Sequence, residues 1–345
     1  MGGVIADSGQ FVAVSDSHPR VAWTSAKGES WESVRVPNPA PTGCDFPEET
    51  ECFPNSAGMG QLVRLGDTMY SIGTTASFND YLRPVGWRLT DGQDWAVIES
   101  DSDFYGFGRM LDLAASDSAL VAIKLTGLGG ISEVWRWTFD ASWIQSDLVD
   151  SEDAPLQVHD ITWGQETFLA VGATLEPIAD VSSDEWPATV AIWLSSDGLT
   201  WTAAPAPDAA TSLCSVTATR EGFVALGLTE SGPAAWISSD AASWSQTDLT
   251  IPKGANTEPS MYSPSCGVVE LDDGLLATRH LGQGTATWTS VDGTTWEAGP
   301  VLDVDSGADL VAAAGDTVVL FGRPPGPLPA DGVARSILLI GTVEP

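Results

Sequence analysis

Basic side chains are scarce in this chain. Fourteen Lys and Arg stand against 47 Asp and Glu in 345 residues, for a formal net charge of −33. Charged residues make up only 18%, so the imbalance is a shortage of bases. A field of that sign repels phosphate backbones and anionic membranes, which excludes nucleic acid as a partner. It suits solubility, salty surroundings included, and would attract cationic partners or Ca²⁺. Long apolar runs are also missing. None approaches the ~18–20 residues of a membrane helix, so no membrane span is expected. The opening residues Met1-Gly-Gly-Val-Ile-Ala-Asp7 have no basic region and no apolar core, so no signal peptide is expected in the chain. No stretch shows a helical period. A His/Glu metal motif, a nucleophile elbow, a P-loop and a dinucleotide fingerprint are all absent.

What the chain does have is tryptophan in a fixed frame. Trp-x7-Trp occurs at Trp23/Trp31, Trp87/Trp95, Trp135/Trp143, Trp193/Trp201, Trp236/Trp244 and Trp288/Trp296. Twelve of the 15 tryptophans fall in it, so the chain is a repeat protein. The clearest copy, Trp193-Leu-Ser195-Ser-Asp197-Gly198-Leu-Thr200-Trp201, reads as strand, tight turn, strand. Gly198 tolerates positive φ, and the Asp197 carboxylate can accept backbone N–H groups of the turn. A large ring on each arm buries roughly 150–250 Å², enough to seal one sheet against the next.

The other copies vary. Ser290-Val-Asp292-Gly293-Thr-Thr295-Trp296 is intact and Asp91-Gly92 keeps the turn, whereas Asp240-Ala241 loses the glycine. Lys27-Gly28 replaces Asp-Gly in the first copy, and the third keeps only its Trp pair. The rings outlast the acid, which gives packing as the main role of the frame.

Ser-x-Asp-Gly-x-Thr-Trp resembles the Asp-box, or BNR repeat, of sialidase-type β-propellers. The resemblance covers six of seven repeats and implies architecture more than activity. It implies that Asp91, Asp197, Asp240 and Asp292 are structural turn residues, on the side away from the ligand. The sialidase catalytic set is not matched: no Arg-Ile-Pro precedes Trp23, and Arg109, Arg279 and Arg323 form no recognisable triad. Sialidase rings have six blades, and seven units are counted here. The count and the degenerate turns also resemble binding propellers of the photosystem-assembly type, which present a basic patch that this acidic chain lacks.

Each unit reads as four short β-branched runs bounded by Gly, Asp and Pro. The expected fold is all-β, a seven-bladed β-propeller of four-stranded antiparallel blades in one domain. Blades are expected over about 2–38, 60–100, 108–148, 156–204, 212–250, 264–302 and 308–343. The seventh unit offers three strands and no Trp pair. Either it stays three-stranded, or residues upstream of Met1 in the natural protein complete it.

Four cysteines give two candidate disulfides. Cys44 and Cys52 bracket an acidic, Pro-broken loop. Cys214 and Cys266 each precede the first Trp of their own unit by 22 residues, so they occupy equivalent positions on neighbouring units. Bonded cysteines point to an oxidising compartment, hence an extracellular or cell-surface location with the leader outside this chain.

Long connections, near 37–60, 97–108, 147–156 and 248–264 between units and 73–84, 173–188 and 323–334 within them, fall on one face. A ligand is expected there, opposite the short Asp turns. Tyr81, Arg83, Tyr105, Arg109, His159, Asp160, Tyr262, Arg279 and His280 map to that half. Arg and His gathered on one rim of so acidic a chain point to a protein or glycan ligand, held by a monomer without turnover. The alternative is a carbohydrate-active enzyme using rim carboxylates such as Asp101, Asp103, Asp160 or Glu185, with Trp163 or Trp186 stacking on sugar. No metal site is read, and no cofactor beyond Ca²⁺ at the rim.

Overall fold

A computed structural model describes residues 2–7, 9–15, 21–37, 58–75, 83–91, 94–98, 104, 108–126, 131–137, 142–148, 155–176, 188–253, 255, 266–281, 284–304, 310–315, 317–322 and 337–342. The alternating runs form strands that pair only with their sequence neighbours, all antiparallel. The first blade is β1 (Gly3–Asp7), β2 (Gln10–Val14), β3 (Val21–Ser25) and β4 (Glu32–Arg35). The second is β5 (Leu62–Leu65), β6 (Thr68–Thr75), β7 (Arg83–Thr90) and β8 (Ala96–Ile98). The third is β9 (Arg109–Ala115), β10 (Leu120–Thr126), β11 (Ile131–Trp137) and β12 (Trp143–Gln145). The fourth is β13 (Leu156–Gly164), β14 (Thr167–Leu175), β15 (Ala188–Ser195) and β16 (Thr202–Ala204). The fifth is β17 (Ser212–Thr219), β18 (Gly222–Thr229), β19 (Gly232–Ser238) and β20 (Ser245–Asp248). The sixth is β21 (Cys266–Leu271), β22 (Gly274–His280), β23 (Thr285–Ser290) and β24 (Glu297–Ala298). The last has three, β25 (Val311–Ala314), β26 (Thr317–Gly322) and β27 (Ile337–Thr342).

The first strands touch in the closed order β1, β5, β9, β13, β17, β21, β25 and back to β1. The protein is therefore a seven-bladed β-propeller whose inner strands line a central channel. Among the described residues no helix is long and apolar enough to cross a membrane.

The core is split into seven clusters, one between each pair of neighbouring blades. The tryptophans explain why. Each pair sits on the third strand and the approach to the fourth, and packs onto the preceding blade. Trp87 and Trp95 meet Val12, Val14 and Ala22 of the first blade. Trp193 and Trp201 meet Val121, Ile123 and Val134 of the third. Trp288 and the half-buried Trp296 meet Val224, Leu226 and Ala235 of the fifth. The ring is closed by the same device, since Trp23 and Trp31 pack with Val319 and Phe321 of the last blade, the Trp31 and Phe321 rings edge-on at 5.9 Å. The last blade has no pair to offer the sixth. That interface rests on Leu271, Leu276, Val311 and Val318, with Val269 and Ala313 half-buried beside them.

The indole N–H groups fix the join. Trp87 Nε1 donates to Pro37 O at 3.1 Å, and Trp288 Nε1 to Thr250 O at 2.7 Å, each a carbonyl on the segment leaving the previous blade. The second Trp caps its own turn: Trp31 Nε1 donates to Gly28 O at 2.6 Å and Trp296 Nε1 to Gly293 O at 3.0 Å.

The Asp turns serve the same packing. Asp197 Oδ1 accepts the N–H groups of Leu199 and Thr200 at 2.8 and 2.9 Å and the Ser195 hydroxyl at 3.0 Å. Asp240 and Asp292 hold their turns in the same way. These hydrogen bonds favour the ionised form. They hold the Asp197 and Asp292 carboxyls below the usual range and bring Asp240 to about 2. The turn so formed tucks its third residue under the preceding blade. A Cβ on Gly198, at φ +73°, would lie 2.5 Å from Val121 Cγ2. Ala241 takes the same left-handed conformation at φ 57° with 1% of its surface exposed. Asp91 accepts Arg64 Nη2 at 2.9 Å.

Candidate functional site

Three successive inner strands share one irregularity at the same height. β9, β13 and β17 each carry an extra residue, and these are Leu111, His159 and Cys214. Such a bulge leaves one residue out of the ladder and re-aims its side chain. His159 is exposed, and its Nδ1 lies 2.6 Å from Leu213 O on the next inner strand. A carbonyl only accepts, so Nδ1 carries the proton and Nε2 is left as the acceptor when the ring is neutral.

A carboxylate follows each of the first two bulges. Asp112 Oδ1 accepts its neighbour Leu113 N at 2.8 Å, and Oδ2 accepts Ile161 N of β13 at 2.9 Å. Asp160 repeats this one blade on, taking Ile161 N at 2.8 Å and Val216 N of β17 at 2.8 Å. The pair laces three inner strands together. Burial, with the adjoining Asp160 carboxyl, pushes the Asp112 carboxyl well above the usual range.

The channel wall continues into blades five and six. Cys214, half-buried on the third bulge, is disulfide-bonded to Cys266 at the start of β21, with Cα atoms 6.0 Å apart. Sequence equivalence gives these two residues corresponding positions on neighbouring units, and the structure brings them within bridging distance. Arg279 stands opposite Cys266 in the β21–β22 register. It is 4% exposed, and its Nη1 lies 3.1 Å from Cys214 Sγ. Burial lowers its pKa to about 10, so it is still a cation at neutral pH. His280 follows it, buried, at the end of β22.

The expected site residues therefore fall into three sets. Arg109 and His159 are exposed near the long-loop ends of neighbouring inner strands, with Asp160 half-buried beside them. Arg279 and His280 lie inside the wall between blades five and six. Arg83 begins β7, while Tyr81, Tyr105 and Tyr262 lie outside the described residues, as do Cys44 and Cys52, Asp101, Asp103, Glu185 and Trp186. Trp163 is half-buried and packs on Phe168 with ring centroids 4.5 Å apart.

Two groups escaped sequence reasoning. Asp112 lies 48 residues from Asp160, and nothing in the letters pairs them. Lys124, 3% exposed, binds Glu133 Oε2 at 3.0 Å and sits 5.0 Å from the Trp135 ring centroid. Trp135 Nε1 donates to the same oxygen at 2.9 Å. A signal for Lys124 did exist. Two residues past the partner of the framed Trp, three second strands carry Gly73, Gly172 and Gly227, where a Cβ would meet a carbonyl oxygen at 1.9 to 2.0 Å. Blades three and six carry Lys124 and Arg279 at that position instead.

On the opposite, short-turn face lies a cavity of about 470 Å³ across blades six, seven and one. The small residues Ala313, Ala314 and Gly315 line it, as do Asp7, Lys27 and Asp272. Asp7 is already paired with Arg64 Nε at 3.0 Å. Among the described residues, no three His, Cys, Asp or Glu side chains gather closely enough to hold a metal ion.

No protein-family model and no curated protein matches this sequence. Solved structures do match in fold. YCF48 bound to a D1 peptide superposes with a TM-score of 0.53 at 14% identity, over 93% of this chain and 89% of that one. Two glycan-active proteins do as well. A polysaccharide lyase, an ulvan lyase bound to -[GlcA(1-4)Rha3S]-, has TM-score 0.52 and 11% identity, over 92% and 88% of the two chains. An α-L-arabinofuranosidase from Fusarium graminearum with an iminosugar inhibitor has TM-score 0.51 and 12% identity, over 98% and 91%. At these identities the likeness is one of fold. Binding proteins and glycan-active enzymes share it.

Proposed function

We propose that this chain is an extracellular binding module whose framed turns are degenerate Asp-box repeats. It holds a protein or glycan ligand at the long-loop mouth of the channel, around Arg109 and His159, as a monomer and without turnover. One observation carries this reading. The inner-wall carboxylates Asp112 and Asp160 both direct their two oxygens at main-chain N–H groups. They are engaged in lacing blades and are poorly placed to flank a glycosidic bond. Arg109 and His159 are exposed beside them, in a chain with few bases, and offer a guanidinium and a ring nitrogen to a polar ligand. The peptide held by YCF48 shows that the fold serves protein binding elsewhere.

The test pairs binding with turnover. The purified chain is titrated by calorimetry against a panel of polysaccharides and peptides, and each mixture is analysed for cleavage products. The reading expects saturable binding to at least one member with no product, weakened about tenfold by Arg109→Ala or His159→Ala, in line with the loss of one charge-assisted hydrogen bond. Product formation abolished by changing a single rim carboxylate would establish the carbohydrate-active alternative instead.

A further inference from the structure

Arg279 is a buried cation whose partner is a sulfur atom. Among the described residues no carboxylate meets its guanidinium, and its Nη1 points at Cys214 Sγ from 3.1 Å. A cation in that position does little for a neutral disulfide. It does a great deal for a thiolate, which is the form that cysteine takes when such a bond opens beside positive charge. The remaining ionisable groups on the strands packed here are His159 and Asp160 of β13, His280 of β22 and, at the far end of β21, Glu270, whose Oε1 accepts Arg220 N at 3.2 Å; Arg279 is the one in contact. Exposure adds a direction, since Cys214 is half-buried and Cys266 is 4% exposed.

We propose that Cys214–Cys266 is a thiol–disulfide exchange site, opened by a dithiol reductant, with Arg279 holding Cys214 as the thiolate. One thiolate of the reductant attacks Cys214 Sγ, the more accessible sulfur. The bond's electron pair leaves on Cys266, which takes up a proton from solvent. The second thiol of the reductant loses its proton and attacks the mixed disulfide at the reductant's own sulfur. Cys214 departs with that electron pair as a thiolate against the guanidinium. The reductant ends as a cyclic disulfide and the cystine as two cysteines, so two electrons have passed. The covalent tie between β17 and β21 is then gone, one residue from the Leu213 carbonyl that holds His159. The inference is independent of the binding reading, because its readout is chemistry at the two sulfurs.

The experiment is alkylation of the folded, dithiol-reduced chain with iodoacetamide from pH 5 to 9, with Cys214 followed by peptide mass spectrometry. Expected is a midpoint for Cys214 below the ordinary thiol value of about 8.5. Arg279→Met should move it upward and slow Cys214 alkylation at pH 6.5 by about tenfold, the effect of one unit in thiol pKa. Arg279→Lys, which restores the charge, should recover part of the rate. In a fixed dithiol/disulfide buffer, wild type should also be more reduced than Arg279→Met. A wild-type midpoint at or above the ordinary value overturns the proposal even if no variant folds. So does a disulfide that dithiol reduces only once urea has unfolded the chain.

Discussion

Replacing Trp288 by alanine is the sharpest perturbation of the ring. The indole is 0% exposed, lies in the cluster between blades five and six, and donates Nε1–H to Thr250 O at 2.7 Å. Truncating a buried Trp costs about 3–5 kcal/mol through lost burial and the cavity left behind. Loss of the hydrogen bond adds about 1 kcal/mol, because exposed Thr250 lets water reach its carbonyl. The sum is about 4–6 kcal/mol, a large share of the ~5–15 kcal/mol that holds a typical domain folded. Trp288→Phe separates the two contributions, since it keeps most of the ring and loses the donor; about 1–2 kcal/mol is expected. Urea unfolding followed by far-UV circular dichroism measures both, with the denaturant slope checked for constancy. Val291, 78% exposed beside the same turn, serves as control, and Val291→Ala should stay within about 0.5 kcal/mol of wild type. If Trp288→Ala costs no more than that control, the tryptophan frame does not seal the blades.

Further predictions concern the turns, the buried acids and the disulfide. Gly198→Ala should destabilise by about 1–3 kcal/mol, because its methyl would meet Val121 at 2.5 Å, whereas Ala241→Gly should be near neutral, relief of the left-handed backbone offsetting a lost buried methyl; chemical denaturation measures both. Asp112 has a folded pKa above its unfolded one, so its stabilisation is complete at low pH and is lost as pH rises through the folded value. Asp112→Asn cannot ionise and should gain stability relative to wild type as pH is raised from 4 towards 8, read from paired melting curves. Asp240, held at about 2, has the opposite sign: its contribution is present above the unfolded value and is lost as pH falls towards 2, so Asp240→Ala should show a flatter acid limb than wild type. Reducing the disulfide, whose partners are 52 residues apart, should lower stability by about 4 kcal/mol on chain-entropy grounds, measured as the difference between oxidised and reduced urea curves.

Much of the fold was legible because it rests on large, regularly spaced residues. The Trp-x7-Trp frame marks the third strand and the approach to the fourth in six blades, and its absence after Trp296 matches the three-stranded last blade. Equal spacing from Trp236 and Trp288 put Cys214 and Cys266 at one level. The direction of packing was not legible, because period gives the face of a ring and not which neighbour it meets. The bulges at Leu111, His159 and Cys214 were hidden too. A single extra residue in an inner strand leaves the alternation looking ordinary, and only pairing with the second strand reveals it. That register shift is what brings Asp112 against Asp160 and sets His159 in the channel. Arg279 and His280 read as rim residues from their place at a strand end, yet lie within the wall, since long side chains on the second strand run between blades.

The account depends most on the tryptophan pairs sealing each blade onto the one before, whereas among the described residues the sixth and seventh blades are joined by the smaller cluster of Leu271, Leu276, Val311 and Val318, with Val269 and Ala313 beside it. Native-state hydrogen exchange on the oxidised chain, resolved strand by strand, tests this directly. Amides of β21, β22, β25 and β26 should open at lower free energy than those of β17, β18 and β23, where Trp236 and Trp288 pack. Uniform protection around the ring, or earliest opening at a tryptophan-sealed interface, would contradict it.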